Sequence, residues 1–284
     1  MKAAPGSHDN ATRPGRRAFD AGAQINMATM QRREFVKTAA LAMAAAAIIP
    51  SRVFGANAPS KTPALACIGV GRMGRGDMKE VLRAGGDGVR IIAICDADSK
   101  RALSAAHELD KHYGTKDQVR VYRDFRELLA RKDIDGVTIS TPDHQHDCIA
   151  VAAAGAGKDI YLQKPLTYSI AEGRQLVEAV RKNKVILQVG SQQRSSLYFR
   201  ISCELVRNGR IGKLQSIEVG LPKDAGKGSA AAMPVPENLD YKQWLGPAPD
   251  APYTEHRVHS QKSLDRPGWL QVEQYCRGMI TGWG

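Results

Sequence analysis

Two short segments hold the residues whose types and spacing suit chemistry. The first is Gly69-Val70-Gly71-Arg72-Met73-Gly74, placed after the apolar run Ala64–Ile68 and before Met78, Val81 and Leu82 at helical spacing. A strand, a G-x-G-x-x-G turn and a helix together form a cradle for the pyrophosphate of a dinucleotide. Gly69 permits the tight turn, Gly71 lets backbone approach the pyrophosphate, and Gly74 allows close helix–strand packing. Arg72 and Met73 belong to the same binding turn. Asp96 closes the next apolar run, 22 residues beyond Gly74. A carboxylate there accepts both ribose hydroxyls of an adenosine and repels a 2′-phosphate, which favours NAD. Lys100 and Arg101 follow closely enough to leave NADP open.

The second segment is in two parts, Ser140-Thr141-Pro142-Asp143-His144-Gln145-His146 and Gln163-Lys164-Pro165-Leu166. When an alcohol carbon gives up a hydride, its oxygen must give up a proton, so a proton-exchanging group has to stand near the nicotinamide. A lysine at the end of a strand, followed by proline, is a candidate. Taken alone, a lysine on a turn is more commonly a surface residue. The His144-x-His146 pair could serve zinc, but no nearby Cys/His/Asp cluster completes a metal site, and none is assigned. His144 reads as a loop residue lining a cleft or exposed.

Alternating elements must position these residues. Strands are predicted at Ala64–Ile68, Val89–Cys95, Gln118–Tyr122, Gly136–Ser140, Asp159–Leu162 and Val185–Val189. Helices are predicted at Asp124–Arg131, His146–Ala156 and Ile170–Lys182, the last opened by the capping box Ser169-Ile170-Ala171-Glu172. Strands alternating with helices imply an α/β fold with a doubly wound parallel sheet, and such sheets bind ligands at their carboxyl ends. Both candidate segments fall there.

In the order of these motifs, residues 62–284 resemble the Gfo/Idh/MocA oxidoreductases, which act on sugars, inositols and their derivatives. The resemblance implies that residues 62–193 are a Rossmann domain for NAD(P) and residues 194–284 part of a substrate and oligomerisation domain. It further implies that Thr141, Pro142 and His146 match a T-P-N-x-x-H segment beside the nicotinamide, with Asp143 in place of its asparagine. Lys164 falls at the catalytic lysine of an E-K-P motif, with Gln163 in place of the glutamate, so the lysine lacks the anionic neighbour a glutamate would provide. Lys164 and His146 are the implied catalytic residues. Gly69, Gly71, Arg72, Met73, Gly74, Asp96, Thr141, Pro142, His146, Gln163 and Lys164 are the implied cofactor-binding set. A carbohydrate-like substrate and a homo-oligomeric full-length form complete the expectation.

Beyond residue 193 a helix is predicted at Ser195–Gly209 and a strand at Leu214–Leu221. Leu239-Asp240-Tyr241-Lys242-Gln243-Trp244-Leu245-Gly246-Pro247 resembles a segment of exported family members, and an incomplete, mainly antiparallel α+β domain is expected. Family members continue past the position of Gly278–Gly284 to a histidine and an aspartate that bind and deprotonate substrate, so the chain reads as truncated at its C-terminus. Two other functions remain open: a glycoside-cleaving enzyme using bound NAD in a closed redox cycle, and an inactive nucleotide-binding fragment.

Composition is ordinary for a folded, soluble protein, at 43% hydrophobic and 25% charged residues. The net charge is +12, but residues 1–58 supply +5 of it and the remaining bases are scattered, without the aromatic-interleaved stripe that nucleic acid requires. Five cysteines, odd in number and without metal spacing, read as thiols rather than a disulfide framework. The first 58 residues read as an address. Arg32-Arg33-Glu34-Phe35-Val36-Lys37 precedes the apolar run Ala39–Ile49, and this pattern resembles a twin-arginine (Tat) signal peptide. Export to the periplasm through the Tat translocon is the expectation, with no stable membrane span, since a spanning helix needs about 20 apolar residues.

Overall fold

Six apolar runs form strands β1 (Ala64–Ile68), β2 (Arg90–Cys95), β3 (Arg120–Tyr122), β4 (Gly136–Ile139), β5 (Asp159–Gln163) and β6 (Leu187–Gly190). The computed structural model describes residues 62–221, 231–278 and 281–282. The expected export signal therefore lies outside the described residues. The strands pair in the order β3-β2-β1-β4-β5-β6, parallel throughout. Parallel neighbours need long crossovers. Helices α1 (Arg72–Gly85), α2 (Ser99–Tyr113), α3 (Phe125–Leu129), α4 (His146–Gly155) and α5 (Ile170–Asn183) provide them.

Alternation along the strands divides the core between the two faces of the sheet. Ala66 and Ile68 pack with Ile139, Leu162 and Leu176, whereas Cys67 packs with Met78, Ile94 and Leu109. Central strand β4 is buried along its whole length, as expected of a strand covered by helices on both faces. Its register sets Ile139 beside both Ile68 and Leu162, while Ile68 also faces Cys95. The chain consequently leaves β1, β2, β4 and β5 at one level, and that level is where the candidate residues sit.

Local signals fix the helix starts. Asp98 caps α2 by accepting the N–H groups of Lys100 and Arg101, and the expected Ser169/Glu172 capping box opens α5 with both of its hydrogen bonds formed. Among the described residues, no helix is long and apolar enough to cross a membrane.

The helix expected at 195–209 forms as α6 (Leu197–Arg207). The strand expected at Leu214–Leu221 does not form; the segment is irregular and exposed. Ile217, Val219 and Leu221 do alternate, but among the described residues no strand lies alongside to receive the segment's N–H and C=O groups, and an unpaired strand has no ladder to hold it. Farther on, α7 (Tyr241–Leu245) anchors a cluster of Leu239, Trp244, Tyr253, Val258 and Tyr275. That cluster is joined to the loop after β2 through an isolated antiparallel bridge, Asp98 to Leu239, and the bond from Asp240 N–H to the Ala97 carbonyl.

Candidate active site

The site is built from four loops leaving the carboxyl ends of β1, β2, β4 and β5. The β1 loop turns at Gly69, whose φ is +82°. A side chain there would stand 2.8 Å from the backbone of Ser140 and Thr141, so the β1 and β4 loops can approach only because residue 69 is glycine. Gly74 lies tighter still against the Gly69 carbonyl, which lets α1 begin directly above the sheet. Gly71 is different: its missing Cβ would meet only the flexible end of Arg101, at 3.1 Å, so this face of the turn is open toward a cleft.

The cleft has a volume of about 640 Å³, within the ordinary range for a small-molecule site. Gly71, Arg72 and Met73 line one part, at the N-terminus of α1. No side chain caps that helix, and its first turn carries no acid. Its unpaired N–H groups and positive dipole end are therefore available to an anion. Asp96 lines the adjoining wall. Its Oδ2 accepts the Val70 N–H and its Oδ1 the Asp98 N–H, both close to 2.9 Å, and burial holds its carboxyl above the usual range. These oxygens retain lone pairs for ribose hydroxyls while also stitching the β1 and β2 loops together. Arg101 lines the same wall beside Asp96 and donates to the carbonyls of Ser260 and Ser263. An uncapped helix end, an open glycine and a carboxylate fit the pyrophosphate and adenosine ribose of a dinucleotide.

The β4 and β5 loops supply the other end. Thr141, Pro142 and Asp143 line the cleft together with Gln163 and Lys164. Lys164 Nζ donates to the Gly282 carbonyl at 2.8 Å. The Gln163 side chain turns away from that ammonium. Its Oε1 accepts the Lys164 backbone N–H at 2.9 Å, and its amide donates to Asp77 on α1. Ser140 Oγ donates to the same Asp77 carboxylate at 2.7 Å. Burial pushes the Asp77 carboxyl up, against the opposing pull of these two donors.

The structure places both histidines outside the cleft lining. His146, expected among the catalytic and cofactor-binding residues, is buried behind the cleft wall, with Nδ1 2.6 Å from the Pro165 carbonyl and Nε2 3.0 Å from that of Thr141. It bridges the β4 and β5 loops, and because burial favours the neutral imidazole, with its single N–H, it donates to one of these two carbonyls and packs against the other. Its place at the head of α4 points it inward, so it holds the loops that line the cleft without lining the cleft itself. His144 neither lines the cleft nor lies exposed. It packs between the rings of Trp244 and Tyr275, and burial pushes its imidazole down to about 4.

Asp77 was missed by sequence reasoning, although a signal existed. It is a lone acid flanking Met78 on the face of α1 that also buries Gly74. A carboxylate on a buried face requires donors. Among the described residues, no group of three or more His, Cys, Asp or Glu side chains is arranged to hold a metal ion.

Comparison with known proteins agrees with this geometry. The Gfo/Idh/MocA family, described as an oxidoreductase family with an NAD-binding Rossmann fold, matches residues 64–191, and its C-terminal alpha/beta domain matches residues 222–265. An uncharacterized oxidoreductase of Bacillus subtilis, YrbE, is 31% identical over 179 residues, 63% of this chain and 47% of its own length. The scyllo-inositol 2-dehydrogenase (NAD(+)) of the same organism is 31% identical over 148 residues, 52% of this chain and 41% of its own. The crystal structure of myo-inositol 2-dehydrogenase from Lactobacillus plantarum is similar with a TM-score of 0.48 at 27% identity, over 54% of this chain and 43% of that one. The chain spans less than half the length of these relatives. The chain belongs to the Gfo/Idh/MocA oxidoreductase family, and its residues 64–191 are the NAD-binding Rossmann fold of that family.

Proposed function

We propose that this protein transfers a hydride between NAD and a hydroxyl-bearing carbon of a sugar-like alcohol, with Lys164 exchanging the hydroxyl proton. One observation carries the reading: Lys164 leaves β5 into the same cleft that the glycine-rich β1 loop and Asp96 line. A bound nicotinamide supplies the hydride acceptor or donor. The chain's own groups do the rest. Gly71 and the α1 N-terminus hold the pyrophosphate, Asp96 the adenosine ribose, and Thr141, Pro142 and Gln163 shape the wall beside Lys164. The inositol 2-dehydrogenases among the relatives support a polyhydroxylated ring as substrate class.

Export through the Tat pathway to the periplasm belongs to the same proposal, resting on Arg32-Arg33 ahead of the apolar run Ala39–Ile49. That route carries folded proteins, so nucleotide can be acquired in the cytosol first. A homo-oligomer also belongs to it, supported by exposed Tyr198, Phe199 and Leu205 on α6.

The test is NADH formation from NAD and a panel of inositols and aldoses. Lys164→Met should retain nucleotide binding and lose turnover. Substantial turnover in that variant would remove the lysine from the chemistry.

A further inference from the structure

Asp77 stays behind the cleft wall, yet it holds two segments that form that wall. It stands in the second turn of α1, the helix whose N-terminus faces the cleft, and is 8% exposed. Ser140 Oγ donates to its Oδ2 at 2.7 Å, and the Gln163 amide donates to the carboxylate from 3.1 Å. Ser140 follows the last residue of β4, and Gln163 is the last residue of β5. One buried acceptor therefore fastens the ends of both strands to the helix that would receive the pyrophosphate. Hydrogen bonds to an ionised acceptor are about twice as strong as neutral ones, which suits a fastening point.

Lys164 depends on this acceptor through its neighbour. The β5–β6 ladder ends at Gln163 opposite Gly190, and the β4–β5 ladder ends at Leu162 opposite Ile139. Lys164 lies just past both. Its backbone N–H is taken by Gln163 Oε1 at 2.9 Å. A glutamine side chain has three rotatable bonds to immobilise, and this one is buried and held at its amide by Asp77. An unbroken chain of hydrogen bonds thus runs from the Asp77 carboxylate through the Gln163 side chain to the Lys164 backbone.

We propose that Asp77 is a positioning residue for the reaction, setting Lys164 in register with the helix end that holds the nucleotide; this rests on the hydride-transfer reading above. The substrate carbon must meet the nicotinamide while its hydroxyl meets the lysine. Those two demands fall on different elements, α1 for the nucleotide and the end of β5 for the lysine, and Asp77 is where the two are joined. Through Ser140 the same carboxylate fixes the start of the β4 loop, whose Thr141 and Pro142 wall the cleft between them. Placement matters at this scale, since an error of about 1 Å can cost about a hundredfold in rate. Asp77 acts through Gln163 and Ser140 and not on the reacting atoms.

Two readouts on the full chain test this, amide hydrogen exchange at Lys164 without nucleotide and kcat for NADH formation. Asp77→Ala should speed exchange of the Lys164 amide about tenfold, as the Gln163 side chain comes free. It should lower kcat about ten- to a hundredfold while NAD affinity, the check on folding, holds within about twofold. Gln163→Met breaks the chain at its middle link and should give the same pair of changes, which keeps the test decisive if Asp77→Ala does not fold. Asp77→Asn fills the same space and keeps an oxygen for the Gln163 amide, so it should recover both readouts relative to Asp77→Ala. A Lys164 amide that exchanges equally in wild type, Asp77→Ala and Gln163→Met overturns the proposal. So does a folded Asp77→Ala with a lowered Tm but an unchanged kcat, which would leave Asp77 a purely structural acid. NADH that never forms on any alcohol, even with wild type, removes the hydride-transfer reading and the positioning with it. NADH that forms as fast in Asp77→Ala as in wild type removes the positioning alone.

Discussion

The side-chain amide of Gln163 donates to both carboxylate oxygens of Asp77, 3.1 Å from each. The residue before the candidate lysine is therefore matched to an acid on α1 and not to the lysine's ammonium. An anion at 163 would stand against Asp77. Glutamine supplies the donor that this buried acid needs, and with Ser140 it links the β5 loop to α1 and the β4 loop.

Gln163→Glu should therefore destabilise the fold. Two carboxyls sharing this site cannot both ionise, so one folded-state pKa rises further above its unfolded value. The folded protein then holds a proton that the unfolded chain releases, and stability falls as pH rises through the raised pKa. A shift of 1–3 units corresponds to about 1.4–4 kcal/mol. Thermal denaturation should show a deficit at pH 8 that shrinks toward pH 5. Adding Asp77→Asn to Gln163→Glu should restore Tm by exchanging donor and acceptor. Equal Tm values across the series would show that the pair carries no weight.

The three glycines of the turn should separate by phenotype. Gly69→Ala places a methyl at φ +82° within 2.8 Å of backbone, so stability should fall by about 1–3 kcal/mol. Gly71→Ala meets only the movable end of Arg101, so Tm should hold while NAD binding weakens. Gly74→Ala should behave like Gly69→Ala. Denaturation and nucleotide titration on the three variants check this, and loss of stability in Gly71→Ala would break the distinction.

Asp96→Ser should weaken NAD and narrow its advantage over NADP, because it removes a charge and two acceptors from the cleft wall beside Arg101. One charge-assisted hydrogen bond of about 1.5–3 kcal/mol corresponds to at least a tenfold change in Kd. Fluorescence titration of both nucleotides against both proteins measures the ratio. A ratio left unchanged would place the adenosine ribose elsewhere.

Acid should loosen the C-terminal cluster through His144. Its folded-state imidazole sits at about 4 against an ordinary 6.5, so the unfolded chain binds a proton that the folded chain refuses. The stabilisation is fully present above about pH 6.5 and is lost as pH falls toward 4, on the order of 3 kcal/mol in all. His144→Gln should flatten the dependence of Tm on pH across that window. A wild-type profile already flat between pH 4 and 6.5 would refute it.

Export should follow one arginine pair. Changing Arg32 and Arg33 to lysine should leave the protein cytosolic, whereas the same change at Arg16 and Arg17 should have no effect, because only the later pair precedes an apolar run. Fractionation of both variants decides the matter, and normal export after the first change would exclude a Tat signal at that pair.

Much of the Rossmann unit was legible from the residues because its rules are local. The apolar run Ala64–Ile68, the glycine spacing after it and the Ser169/Glu172 cap each depend on a few neighbouring side chains. Leu214–Leu221, with Ile217, Val219 and Leu221 in alternation, forms no strand, since a ladder needs a second strand that short-range pattern cannot supply. The same limit governed the site. Sequence spacing placed Lys164 and Asp96 at strand ends, where a parallel sheet must present them. Only tertiary structure decided that His146 faces inward to two carbonyls, that Gln163 answers an acid 86 residues away, and that Asp143 keeps an unpartnered oxygen in the cleft that Lys164 also lines. Burial and hydrogen-bond partners depend on which loops share the ends of β1, β4 and β5, and pairing across the sheet determines that.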